Sequence, residues 1–488
     1  MKGKQLRKAV LLGMAMSMAV WTTGMAKDIT GPITDDTHNG SYEDYVIVTN
    51  EDKESAAIQV TDKEVSITTT GDGHKIKLES DGSGIRTKGG KNGSTVTLTS
   101  AGDNEIYFNR VSDKGDGITV EDNSHVTVTA ENGQNYIHAE NYGDIVEDIL
   151  GGDGIRIQGD GTTTVIGQTN KIEVIDDGLY IHQDSGDTAN ITLTATGSDA
   201  EGIGNYIDGN NGIHTAGENK GNITVTANGG KNVIHGKQNA VYASGSGMIT
   251  ISATAETDSE GISLLANYED YDNELTGDVN GVRSDGTGET NVIADHDNII
   301  AGPTNGILSE SAGVINVTAG GDNIIGQYTN EKGDMVTSQI GINVTDGKVN
   351  LVAKNNTVNA RDIGISVMNN SSAVYLDGTA TNINVTNDKI LSHEAGAIGL
   401  YADKSGLITN KQSVGKVNIK VETRNNNAFG VQAKEGGKID FAADELNVTA
   451  IHTGTGNGDT VGIFAGYGTT AASQEQKTVS YIDRLIVK

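Results

Sequence analysis

The 488-residue chain has no cysteine, two prolines, one tryptophan and four phenylalanines. Without cysteine there can be no disulfide framework, thiolate zinc site, iron–sulfur cluster or cysteine nucleophile. Two prolines exclude collagen and proline-rich linkers. Positive charge is scarce too: 35 Lys and Arg stand against 65 Asp and Glu, a formal charge of −30 that repels phosphate backbones and anionic lipid surfaces. Nucleic acid is therefore not an expected partner. Leucine is the last shortage, with 19 residues against 48 isoleucines and 38 valines. Beta-branched side chains lose rotamer freedom on helices and suit pleated strands, so the chain is expected to be all-β.

The first 26 residues differ in composition from the rest. Lys2, Lys4, Arg7 and Lys8 form a basic start, Ala9 to Trp21 an apolar stretch, and Gly24 and Ala26 supply small residues at the −3 and −1 positions. This is the pattern of a secretory signal peptide cleaved after Ala26. The alternative, a membrane anchor, would have only the marginal uncharged run Ala9 to Ala26 to span the bilayer. An exported chain without cysteine draws no stability from disulfides, so its core must be unusually continuous.

Self-similarity supplies that core. A small residue followed by an aliphatic one recurs at Gly84-Ile85, Gly117-Ile118, Gly154-Ile155, Gly178-Leu179, Gly212-Ile213, Ala240-Val241 and Gly281-Val282. The series continues at Gly306-Ile307, Gly341-Ile342, Gly364-Ile365, Gly399-Leu400, Gly430-Val431 and Gly462-Ile463. Alternating runs such as Ile191-Thr192-Leu193-Thr194-Ala195 and Ile223-Thr224-Val225-Thr226-Ala227 follow many of these anchors, and period two with Thr on alternate positions means one buried and one wet face. An Asn then introduces a third apolar pair, as at Asn104, Asn135, Asn232, Asn298 and Asn323. Three short strands per unit, separated by Gly, Asn and Asp turns and with no helical period between them, predict a parallel β-helix, a solenoid of about 13–14 coils. Asn tolerates corner geometry, and its amide can bond the Asn of the next coil. The organisation expected is a signal peptide over 1–26, a lead-in over 27–56 and the β-helix over 57–488. A row of β-sandwich domains is the competing architecture, but sandwiches usually need buried Trp or Phe to fill a thick core.

The signal peptide, the acidic charge, the missing cysteine and the Gly-Ile, Ile-Thr-Val-Thr-Ala and Asn-x-Ile cadence from about 57 to 470 resemble the passenger domains of bacterial autotransporters. That resemblance implies a right-handed parallel β-helix of adhesin type, carried to the cell surface through an outer-membrane β-barrel translocator. Its expected partners are surface glycans or proteins, or a second copy of itself. Tyr481 to Lys488 is a strand-like run with no membrane barrel, so the translocator is expected beyond Lys488 or on a separate chain.

Right-handed β-helices also include polysaccharide lyases, polygalacturonases and tailspikes, so chemistry must be sought. Asp176-Asp177-Gly178 with His182 is the nearest match to an acid–base pair. Adjacent strand residues point to opposite faces, however, and these acids fall where other units turn. Alternation puts His138, His182, His214 and His235 outward beside inward isoleucines, with His182 and His214 expected to stack as neighbours in successive units. None of the Gly-Lys pairs precedes Ser or Thr, so there is no phosphate loop, and Asp270-Tyr271-Asp272-Asn273-Glu274 lacks glycine at the sixth position of a calcium loop, where Leu275 stands. No cofactor is expected and no catalytic residue is assigned. The longest interval, Ala240 to Gly281, must leave the rod as a loop, and loops on rigid scaffolds carry recognition. Its Asp258, Glu260, Tyr268, Glu269, Asp270, Tyr271, Asp272, Glu274 and Asp278 are the candidate binding residues. The functional reading is an exported surface protein for adhesion or self-association, with a polysaccharide-active enzyme as the alternative.

Overall fold

Alternating Ile/Val and Thr give each short strand one face that must leave water, and stacking strand on strand lets every coil close the face of the last. The computed structural model follows this logic. It describes residues 23–24, 27–71, 75–90, 92–109, 115–139, 152–182, 188–218, 220–254, 272–330, 332–387, 396–412, 414–424, 427–454, 460–465 and 485–487. The expected signal peptide and cleavage point fall almost wholly outside these residues.

The chain is a parallel β-helix with three sheets. The first sheet stacks strands such as Thr95–Ser100, His125–Ala130, Thr162–Gly167, Asn190–Ala195 and Asn222–Asn228. Asn104–Phe108, Gln134–Ala139 and Thr169–Glu173 belong to the second, and Ile118–Glu121, Ile155–Gln158 and Leu179–Ile181 to the third. Within each sheet a strand pairs in parallel with its equivalent one coil on, so Ile191 lies beside Thr163 and Ile223. Fourteen strand segments of the third sheet, from Ala56–Thr61 to Thr460–Ala465, stack this way, a rise of about 60 Å at ~4.8 Å per coil. Strand separation blurs further along the chain: Asn305–Ala319 and Ala373–Asn387 turn corners without a break, and Ile340–Ala360 runs through all three sheets.

Inward side chains from Ile29 to Val448 form one aliphatic core. Asn135, Asn170, Asn205 and Asn232 are among the polar side chains buried with it. The recurrent glycines mark where the coil has no room. A Cβ on Gly117 would sit 2.4 Å from Ile137 Cγ2 and 2.5 Å from Gly154 O, and one on Gly178 would sit 2.3 Å from Ile207 Cγ2 and 2.5 Å from Gly212 O. Close approach between coils thus demands glycine at these two positions, while Ala240 fills the equivalent place in one coil, and the following aliphatic residue enters the core.

Candidate functional site

The two corners flanking the second sheet are held by stacked polar side chains. At the first, Asn104 Nδ2 donates to Asn135 Oδ1 (2.9 Å), and the pattern continues through Asn170, Asn205, Asn232, Asn273, Asn298 and Asn323 to Asn356 at 2.8–3.0 Å. An amide both donates and accepts, so each rung satisfies the next inside a dry core.

The second corner changes character along the rod. Its successive residues are Asp116, Asp153, Asp177, Asn211, Asn239, Asn280 and Asn305, each immediately before an anchor Gly or Ala, and then Ile340, Ile363, Ile398 and Phe429. The amides donate from each Asn to the one before, Asn239 to Asn211 and Asn280 to Asn239, at 2.8 and 2.9 Å. The three acids, when ionised, cannot donate. Each accepts the backbone N–H of the next coil: Asp153 N to Asp116 Oδ1, Asp177 N to Asp153 Oδ1 and Asn211 N to Asp177 Oδ1, at 3.1–3.2 Å. Asp116 also accepts from Thr119 Oγ1 (2.8 Å) and Asp177 from Asn211 Nδ2 (2.8 Å). Burial raises the carboxyl pKa of Asp116, against the pull of Arg156, and raises that of Asp153 further, with Asp116 and Asp177 adding repulsion.

Outside this corner the third sheet presents a column of large side chains in register: Arg86, Thr119, Arg156, Tyr180, His214, Tyr242 and Arg283. Tyr180, His214 and Tyr242 stack at centroid spacings of 4.9 and 4.7 Å, with Arg156 over Tyr180 at 5.5 Å and Arg283 over Tyr242 at 5.0 Å. His214 Nδ1 meets Asp177 Oδ2 at 2.6 Å, joining the column to the buried acids. Burial pushes the Tyr180 phenol up to about 12. The partner of Asp177 is therefore His214 rather than His182. The expected His182–His214 stack does not form, because the register places His214 beside Tyr180; His182 makes an edge contact with Tyr180 at 5.8 Å.

Among the described residues two groups of ligand-type side chains have donor atoms within 4.8 Å of one another: Asp153, Asp176 and Asp177 at this corner, and Asp272, His296 and Asp297 at the foot of the second sheet. In both, carboxylates already accept internal bonds. Asp272 Oδ1 takes Asp297 N (2.9 Å) and lies 3.2 Å from His296 Nδ1. Of the acidic-interval residues, Asp258, Glu260, Tyr268, Glu269, Asp270 and Tyr271 lie outside the described residues. Asp272 caps the corner, Glu274 is a strand residue whose carboxyl pKa is raised by burial, and Asp278 lies in a turn with Oδ1 3.6 Å from His235 Nε2. These three thus belong to the rod rather than to a projecting loop. The buried acids Asp116 and Asp153 were missed in the sequence reading, though the Asp or Asn before seven successive anchors could have revealed them.

No family model matches the sequence, and no curated protein or solved structure matches it either.

Proposed function

We propose that the chain is an exported β-helical rod that presents flat polar faces for adhesion or self-association. The observation that carries this reading is the outward surface of the first sheet. Ser66, Thr97, Thr127, Thr164, Thr192, Thr224 and Thr250 fall in one register column, continued by Asn291, Asn316 and Asn350, and Thr68, Thr99, Thr129, Thr194 and Thr226 lie in the neighbouring one. Short hydroxyl and amide side chains on a rigid sheet make a level surface that costs little side-chain entropy to bury, which suits broad shallow contacts. At −30, parallel rods repel at low ionic strength, so self-association should strengthen with salt or divalent cations. Cells displaying the chain are expected to aggregate in a salt- or calcium-dependent way; aggregation indifferent to both, or none at all, counts against the reading.

The pairing of Asp177 with His214 favours one other reading, acid–base chemistry on a polysaccharide. Against it, Asp177 and Asp153 spend their oxygens on backbone N–H groups of the following coil. Turnover of acidic or neutral glycans that is abolished by Asp177→Asn would establish the enzyme reading.

A further inference from the structure

Among the described strands the sole antiparallel pair is a hairpin, Gln327–Thr329 with Met335–Thr337, which leaves the rod between the second and third sheets. It walls a cavity of about 640 Å³, a size suited to a mono- or disaccharide. Met335, Val336 and Pro303 give one apolar side, while Thr337, Asn384 and Thr386 supply hydroxyl and amide groups. Arg361 and Arg424 also line it.

The arginines carry the inference. Acids outnumber bases 65 to 35, and a guanidinium in such a chain readily finds a carboxylate. Arg86 does so with Glu121, Arg156 with Asp153, and Arg283 with Asp285 and Glu310. Of the five described arginines only Arg361 and Arg424 form no ion pair with any described residue, and both line this cavity. Arg361 is held in place by Nη2 donating to Pro303 O at 3.0 Å, and its buried Nε has no partner among the described residues. The one acid in the lining, Glu422, is engaged by Lys420 at 3.2 Å.

We propose that this cavity is a binding site for an acidic saccharide, its carboxylate or sulfate meeting Arg361 and Arg424, its hydroxyls the Thr and Asn side chains and its C–H face Met335 and Val336. The site does not depend on the adhesion reading: binding by the purified chain and aggregation of displaying cells are separate measurements, and either can fail alone. The test is calorimetric titration of the purified full chain with galacturonate and sialylated oligosaccharides, a sulfated disaccharide and neutral counterparts of equal size. At least one anionic sugar should bind, its neutral counterpart at least tenfold more weakly, and Arg424→Gln, at an exposed position, should weaken binding about tenfold with the fold unchanged by circular dichroism. Arg361→Lys, which keeps the charge but loses the planar fork, should weaken it less than Arg361→Gln. Preference for carboxylated over sulfated sugars, or the reverse, identifies the anion. No binding of any anionic sugar, equal affinity for neutral ones, or affinity unchanged in Arg424→Gln overturns the proposal.

Discussion

The two corners of the coil solve one problem in different ways. At the first, nine asparagines from Asn104 to Asn356 repeat a single amide-to-amide bond without interruption. At the second, the same structural place is filled by carboxylates, then by amides, then by Ile340, Ile363, Ile398 and Phe429. An amide ladder is self-sufficient because each rung donates and accepts. A carboxylate rung needs donors from the backbone and brings charge into a place where water cannot pay for its solvation. The difference separates what the coil needs at a corner, a flat side chain with satisfied bonds, from what it tolerates, and the acids of the second corner are the costly choice.

The largest effect is expected where both corners depend on backbone approach. Gly178→Ala places a methyl 2.5 Å from Gly212 O and 2.3 Å from Ile207 Cγ2, and should cost about 3 kcal/mol in chemical unfolding. A neutral result would mean that the coils are less tightly apposed than described. Next comes the amide ladder: Asn232→Leu removes the donor to Asn273 Oδ1 and Ser252 O and the acceptor for Asn205, leaving buried polar atoms unpaired at a cost of about 2 kcal/mol. Equal stability of the variant would break the claim that the first corner is held by its amides.

Asp153→Asn tests the second corner with the opposite sign. Burial raises the folded-state pKa of Asp153, so the folded chain holds that proton more tightly than the unfolded one, and charging the group costs stability as pH rises. The variant should be more stable than the parent at neutral pH, on the order of 1 kcal/mol, with the advantage fading as pH falls toward the ordinary carboxylate value of 3.8. Its amide can donate toward Asp116, in the direction Asn211 uses toward Asp177. A loss of stability at neutral pH would instead make the charge a structural requirement. The smallest effect belongs to the surface: the hydrogen bond that His235 Nδ1 donates to Asp208 Oδ1 raises the His235 pKa, so its contribution is complete below about 6.5 and disappears as pH rises through the raised folded-state value. With the side chain 32% exposed, His235→Gln should cost well under 1 kcal/mol at pH 5.5 and nothing measurable at pH 8.5.

The architecture was legible because it is periodic. Gly-Ile anchors, Thr alternation and corner asparagines each recur often enough to fix the strands, the buried face and the amide ladder before any coordinates. The candidate sites were less legible because they depend on register. Coil length varies, so sequence spacing could not show that Tyr180 rather than His182 lies beside His214, or that Arg361 and Arg424, 63 residues apart in sequence, share a cavity under the hairpin of Gln327–Thr329 and Met335–Thr337. The acids at 116, 153 and 177 read as ordinary turn residues, and they are turn residues; their burial follows from stacking, which no single unit displays.

The central claim is that equivalent residues of successive coils stack in one column. Spin labels at Thr97 paired with Thr250, five coils on, and with Asn350, eight coils on, measure it by electron–electron double resonance. Backbone separations of about 24 Å and about 38 Å, a constant ~4.8 Å per coil whatever the number of residues between labels, are the predicted result. Distances that follow residue number rather than coil number, or that spread broadly, would contradict it.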